Sequence, residues 1–306
     1  FTTGSWSNFH NEDFKLVSIN TARFDVTKHL ATPIISDAKI GLVELSKALG
    51  DWRAPNNWYE RSINEKKEWD KYVDKQSGPT NQELPSYAHA VGAIYRNADP
   101  SDIVVTAAGG LVGEVVQIWK PKELNTFETE WGFSCMGYEI SGALGIKMAK
   151  PDHDIVVFVG DGSYLLHNSD IYSSVLYDKK LIIIVCDNGG HMVINRLQLA
   201  KGGKEYLCNL RSARATNIQF VNFEAHAKSM GANAETVKST SELEAAFKRA
   251  KKSDKTYVIS IETHGYEWLE GTAFWESPTL ETPTTKENKN AYADFIDGKK
   301  KQRRGV

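Results

Sequence analysis

Five short strand-like runs in the later part of the chain limit what it can fold into. They are DIVVTAA (102–108), DIVVFVG (154–160), LIIIVCD (181–187), ANAETVK (232–238) and TYVISIE (256–262), most of them nearly continuous in Val and Ile. Strands that are apolar at consecutive positions, rather than alternate ones, suit a sheet covered on both faces. Segments of helical length separate most of them. One is SELEAAFKRAKK, where Ser241 followed by Glu244 predicts a capping-box start. The pattern predicts an α/β fold, a doubly wound and mostly parallel sheet with helices on both faces. Ligands of such sheets bind at the carboxyl ends of the strands.

Ahead of that region, FKLVSIN (14–20) reads as a buried strand, and DAKIGLVELSKALGDW (37–52) places Ile40, Val43, Leu45 and Leu49 near helical spacing. Together they predict the end of a second α/β domain. Residues 53–84 are polar and highly charged, with Gly78, Pro79 and Pro85 near their end, which predicts a connecting helix within a linker. The chain opens on Phe1 rather than Met and soon enters a strand, so a fragment of a longer protein is expected. The expected parts are 1–52, the linker 53–84, a main domain 85–270 and a tail 271–306. A formal net charge of -2 gives no bulk attraction to nucleic acid or an anionic membrane, and the basic block GKKKQRRGV reads as a solvated end. Cys135, Cys186 and Cys208 form no CxxC pair, and no apolar run has the length of a membrane span or signal core; a reducing cytoplasm is expected.

The stretch VFVGDGSYLL (157–166) sets Asp161 between Gly160 and Gly162 at the end of an apolar run, a costly place for a carboxylate. The glycines allow a sharp turn and close approach to a ligand, and the first turn of the next helix, which includes Ser163, offers free N–H groups to an anion. An aspartate beside a phosphate repels it unless a cation lies between them. The pairing therefore points to a bridging metal, and hard oxygen donors with phosphate point to magnesium. Other nucleotide motifs fail: GxGxxG from Gly160 needs a glycine where Leu165 stands, and no GxxxxGK[ST] occurs. A bare G-D-G is weak alone. Further on, after a helix and a strand, comes DNGG (187–190). A right-handed crossover sets the ends of two parallel strands side by side, bringing Asp187 and Asn188 next to Asp161. Asp161, the amide oxygen of Asn188 and the carbonyl of Gly190, with diphosphate and water oxygens, would complete an octahedron.

The whole stretch GDGSYLLHNSDIYSSVLYDKKLIIIVCDN resembles the two-part GDG and NN signature of thiamine-diphosphate enzymes, with Asp187 in place of the first asparagine. VVTAAGGLVGEVV falls where that family's cofactor-contacting loop lies, which implies contacts from Gly109, Gly110 and Leu111. GFSCMGYEISGALGIKMA resembles the segment whose bulky apolar side chain wedges the cofactor into its bent form. Met136 is the matching residue, although a lone methionine is otherwise a core filler. The resemblance, to the acetohydroxyacid synthase and pyruvate oxidase group, implies that 1–52 ends a middle Rossmann-like domain and that 85–270 is the diphosphate domain. It implies thiamine diphosphate and Mg2+ as cofactors, cofactor contacts from Gly160, Gly162, Ser163 and His191, and a homodimer or homotetramer with the site between subunits. The family's catalytic glutamate belongs to its pyrimidine-binding domain, so Glu114, Glu130 and Glu139 are expected at the surface or behind the site.

Within the family, EWGFSCMGYEISGALGIKMA, DNGGHMVINRLQ and LRSARATNIQFVNFEAHAKSMGA are most similar to a branch that hydrolyses a carbon–carbon bond of a polyhydroxylated cyclic 1,2-diketone. Such a substrate would be faced by His191 and Asn195, His191 otherwise being an ordinary loop histidine. Arg211 and Arg214 read as solvated. Decarboxylation of a 2-oxo acid, acetohydroxyacid synthesis and catalytically silent cofactor binding stay open as alternatives. GYEWLEGTAFWESPTLETP (265–283) either folds over the site as a flap or docks by its aromatic residues.

Overall fold

A computed structural model of the chain describes residues 4–9, 11, 13–130, 132–210, 217–271 and 276–302. In chain order come β1 (Val17–Asn20), α1 (Arg23–Val26), β2 (Thr32–Ile35), α2 (Ala38–Leu49), α3 (Asn56–Gln76) and α4 (Tyr87–Tyr95). Next are β3 (Ile103–Thr106), α5 (Gly109–Ile118), β4 (Phe127–Thr129), α6 (Tyr138–Ala149), β5 (Ile155–Gly160), α7 (Asp161–Leu166) and α8 (Asp170–Leu176). The remainder is β6 (Ile182–Asp187), α9 (Met192–Ala200), α10 (Phe223–Ser229), β7 (Asn233–Val237), α11 (Thr240–Lys252), β8 (Tyr257–Glu262) and α12 (Lys286–Lys300). These elements form two compact units. One is Glu68–Glu270; the other joins Phe1–Lys67 to Gly271–Val306, so the division falls inside α3.

The larger unit holds a six-stranded sheet in the order β4-β3-β5-β6-β8-β7, with every pairing parallel. Side chains alternate along each strand. Val104, Val156, Phe158, Ile182, Ile184 and Cys186 pack on one face with residues of α4, α5 and α11. Val105, Val157, Val159, Ile183 and Val185 pack on the other with residues of α6, α8 and α10. Burial on both faces is why these strands carry apolar residues at consecutive positions. From β3 the chain steps outward to β4 and returns to β5 on the opposite side, so the switch point lies between β3 and β5. Gly160 pairs with Cys186, and the residues that follow, Asp161 and Asp187, leave neighbouring strands at the same level.

Two features differ from the sequence expectation. The edge strand β4 is three residues long and only partly buried, so it leaves no apolar run to detect. Helix α11 starts two residues before the predicted box: Ser239, with φ -144° and ψ 161°, accepts the N–H of Glu242, and Glu242 accepts the N–H of Lys238. A cap needs that non-helical backbone, which Ser241, inside the helix, lacks. Glu244 instead pairs with Arg96 at 2.9 Å.

In the smaller unit β1 and β2 pair in parallel, and α2 is capped by Asp37, whose carboxylate accepts the N–H groups of Lys39 and Ile40. Ile40, Val43 and Leu49, which set the helical spacing of α2, are exposed. Among the described residues, no helix is long and apolar enough to cross a membrane.

Candidate active site

The loops leaving β3, β5 and β6 meet at the carboxyl end of the sheet. After β5, Asp161 opens α7, and its carboxyl accepts main-chain N–H groups of Gly162 and Gly190. The bond from Gly190 joins the two halves of the sequence motif. After β6, Asp187 accepts the N–H of Gly189 at 2.9 Å and is hydrogen-bonded to Asp161. The side-chain oxygen of Asn188 is buried and has no hydrogen-bond partner. Gly190 has a φ of 139°, and a Cβ there would stand 2.3 Å from the carbonyl oxygen of Cys208. That close approach is fastened by the N–H of His191 donating to Cys208 O (2.7 Å) and the N–H of Leu210 donating to Gly189 O (2.9 Å).

After β3, Gly109 and Gly110 begin α5 behind Ala108, whose extended backbone receives no side-chain cap. The side chain of Leu111 is buried in the core, which leaves only its main chain for a ligand. Tyr87 of α4 lies beneath both loops. Its ring is 3.9 Å from the position of a Cβ on Gly110, and its hydroxyl is 3.7 Å from that on Gly160. A Cβ on Gly162 would fall 2.8 Å from His191 Cε1 and 3.4 Å from Met136 Cε, so these three residues converge. Met136 is 38% exposed and is therefore no core filler.

Burial, and then the charge of Asp187, raises the pKa of Asp161; burial raises that of Asp187. The same two carboxylates add to burial in pushing the Tyr87 hydroxyl up. Two adjacent carboxyls, one buried and one partly so, do not both ionise readily without a compensating charge. With the unpartnered oxygen of Asn188 they make an all-oxygen donor set that fits a hard divalent cation. Among the described residues no three His, Cys, Asp or Glu side chains group as a metal site. An ion here would draw its other ligands from amide, main-chain, solvent or phosphate oxygens.

Ser163 is buried and bonds to Glu139, itself buried. Glu130 accepts the N–H groups of Phe133 (2.9 Å) and Cys135 (2.8 Å), which hold its carboxyl below the usual range. Glu114 is buried, accepts the N–H of Leu269 at 2.9 Å, and has its pKa pushed up to about 7 by burial. His191 is exposed beside Gly162. Asn195, expected to face the substrate with His191, is turned into the protein. It is fully buried, and its amide donates to Glu205 at 2.6 Å, bracing the returning loop. Arg211 and Arg214 lie outside the described residues. Of the tail, residues 264–270 are docked. The N–H of His264 donates to Pro85 O (2.9 Å), Leu269 is held by Glu114, and Trp268 lies under the Arg196 guanidinium at 4.3 Å; residues 272–275 lie outside the described set. Tyr87 and the Cys208–Leu210 brace have no counterpart in the sequence reading.

Residues 107–261 match the thiamine pyrophosphate enzyme C-terminal TPP-binding domain. The chain belongs to the thiamine pyrophosphate enzyme family. Among curated relatives, the 3D-(3,5/4)-trihydroxycyclohexane-1,2-dione hydrolase of Lacticaseibacillus casei is 32% identical, over 97% of this chain and 50% of that protein. The protein of the same name from Halalkalibacterium halodurans is 32% identical, over 87% and 46%. The chain thus spans about half the length of the curated relatives it matches. A solved structure of a thiamine diphosphate-dependent 4-hydroxybenzoylformate decarboxylase from Rhodococcus jostii shares the fold. Its TM-score is 0.63 at 14% identity, over 82% of this chain and 44% of that one.

Proposed function

We propose that this chain carries the cofactor-binding half of a hydrolase that opens 3D-(3,5/4)-trihydroxycyclohexane-1,2-dione to 5-deoxyglucuronate, a step of myo-inositol catabolism. The observation that carries this reading is the fused two-part site, in which Asp161 accepts the N–H of Gly190 beside the unpartnered oxygen of Asn188. The names of its relatives supply the substrate.

Asp161, the side-chain oxygen of Asn188 and the carbonyl of Gly190 would hold Mg2+. Gly109, Gly110 and the main chain of Leu111 would line the cofactor from the β3 side, and Gly160, Gly162 and Ser163 from the β5 side. Met136 would pack against the cofactor, and His191 would face cofactor or substrate. Thiamine diphosphate, when bound, would supply a nucleophilic carbon and an electron sink for the bond that breaks. Overall, the bond between the two carbonyl carbons breaks. One carbon takes the OH of a water and becomes the carboxyl, the other takes the H and becomes the aldehyde, so no oxidant is required. The working form is a cytoplasmic homodimer or homotetramer with the site shared between subunits.

The test is incubation of the full-length protein with the dione, thiamine diphosphate and Mg2+, followed by mass spectrometry. A product heavier by one water, formed only when both cofactors are present, supports the reading. Turnover of pyruvate without ring opening, or cofactor binding with turnover of neither compound, overturns it.

A further inference from the structure

Glu139 lies in the first turn of α6, and its side chain is sealed from solvent at 1% exposure. Among the described residues no Lys, Arg or His pairs with it. Its carboxylate instead receives bonds from three separate segments. The N–H of Ala108 donates to Oε1 at 3.2 Å, the N–H of Gly137 to Oε2 at 2.8 Å, and the hydroxyl of Ser163 also binds it. Each donor borders a different part of the candidate site. Ala108 precedes the Gly109–Gly110 turn, Gly137 follows Met136, and Ser163 follows the G-D-G.

We infer that Glu139 is a positioning residue that presets the cofactor pocket. It fixes the separation of the loops after β3 and β5 and aims Met136 before any cofactor arrives. The inference rests on the thiamine diphosphate reading above. A buried carboxylate with no cation beside it carries a large desolvation cost, and a residue with only a packing task would be served by an apolar side chain of the same volume. What the carboxylate adds is directional: charge-assisted acceptors are roughly twice as strong as neutral ones and hold their donors in narrow geometry. Three loops tied to one rigid group lose their freedom during folding rather than on binding, so the ordering cost is removed from the cofactor's affinity.

The test is Glu139→Gln in the full-length protein. Glutamine keeps the size but exchanges one oxygen for an NH2 group, which cannot accept from an N–H. We expect thiamine diphosphate affinity at saturating Mg2+, measured by calorimetry, to fall about tenfold or more. Amide exchange at Ala108 and Gly137 should quicken by a comparable factor while exchange in β5 and β6 stays unchanged. A folded variant with unchanged affinity, or exchange that quickens evenly across the whole sheet, overturns the inference, because either result leaves Glu139 with no task specific to the site. Should the variant not fold, the cofactor-free wild-type protein decides. Slow exchange of the Ala108 and Gly137 amides before cofactor is added supports a preset pocket, and loop-like exchange that slows only after addition overturns it. If the wild-type protein binds no thiamine diphosphate, the functional reading fails first and this inference falls with it.

Discussion

An added methyl group at Gly190 should damage the candidate site more than one at the adjacent Gly189, and the structure gives the size of the difference. The φ of 139° at Gly190 is one that L side chains rarely adopt, and such backbone strain costs about 1–3 kcal/mol. Its Cβ would also stand 2.3 Å from a main-chain oxygen, that of Cys208, so the two segments must part by about 0.7 Å or more. That movement breaks or stretches the bonds from His191 to Cys208 and from Leu210 to Gly189, at about 0.5–1.5 kcal/mol each. The total of about 2–6 kcal/mol falls on the loop that carries Asn188. Gly190→Ala should therefore weaken magnesium-dependent thiamine diphosphate binding about thirtyfold or more, read by calorimetry, with the far-ultraviolet circular dichroism retained. Gly189→Ala is the control. With a φ of 81° and nothing within 4 Å of its Cβ, it carries only the left-handed cost of about 1–2 kcal/mol. Wild-type affinity in Gly190→Ala would refute the reasoning, and so would equal losses in the two variants, because the Cys208 contact would then have no energetic weight.

Three further outcomes are expected. Asp161→Ala should abolish magnesium-dependent thiamine diphosphate binding, since the diphosphate would lose its bridging cation; an unchanged calorimetric isotherm would sink the metal assignment. Glu114 has its folded pKa raised from 4.5 to about 7, so the folded chain binds this proton more tightly than the unfolded one. Its contribution to stability is then full below about pH 4.5 and lost as pH rises through about 7, a change of about 3 kcal/mol. Glu114→Gln should flatten this part of the stability profile in urea titrations, whereas an identical slope in both proteins would show that the carboxyl is not the source. Met136→Ala removes a side chain that is 38% exposed, so stability should fall by only about 1–2 kcal/mol. Turnover in the ring-opening assay should nevertheless fall about tenfold or more if this side chain positions the cofactor, and unchanged turnover would remove it from that role.

The parts of the molecule that were legible in the sequence are those whose physics is local or passes through a single crossover. β5 and β6 were visible because burial on both faces demands Val and Ile at consecutive positions. The convergence of Asp161 with Asp187 was visible because parallel neighbours joined by a helix end side by side. β4 was hidden because a three-residue edge strand makes no such demand. Tyr87 was hidden for a different reason: it meets the carbonyl of Cys186 across 99 positions, and its own surroundings look like any apolar helix. Asn195, read as facing the substrate because it is polar and lies one turn beyond the metal loop, is instead taken by Glu205, which arrives only when the loop doubles back. Glu139 was ambiguous as well, since an acidic residue in the first turn of a helix is ordinarily explained by the helix dipole.

Four acidic side chains around the carboxyl end of the sheet, Glu114, Glu139, Asp161 and Asp187, have raised pKa values, and in each burial is the largest cause. Their surroundings separate their tasks. Glu139 is satisfied by N–H and hydroxyl donors from three segments and has no acidic partner at hydrogen-bond distance. Glu114 has an unpartnered oxygen, but the charge of Arg196 acts on it, so a divalent cation there would be repelled by a guanidinium. Asp161 and Asp187 alone combine mutual carboxylate contact with a nearby neutral oxygen, that of Asn188, which lacks a partner. A cation held by Asp161 would offset the charge of the adjacent Asp187 and take up the orphaned amide oxygen of Asn188. Burial alone would have nominated all four residues as metal ligands. The distribution of the neighbouring positive charge and N–H donors selects Asp161, beside the unpartnered Asn188 oxygen, at the place where the diphosphate of a bound cofactor would reach the loops after β5 and β6.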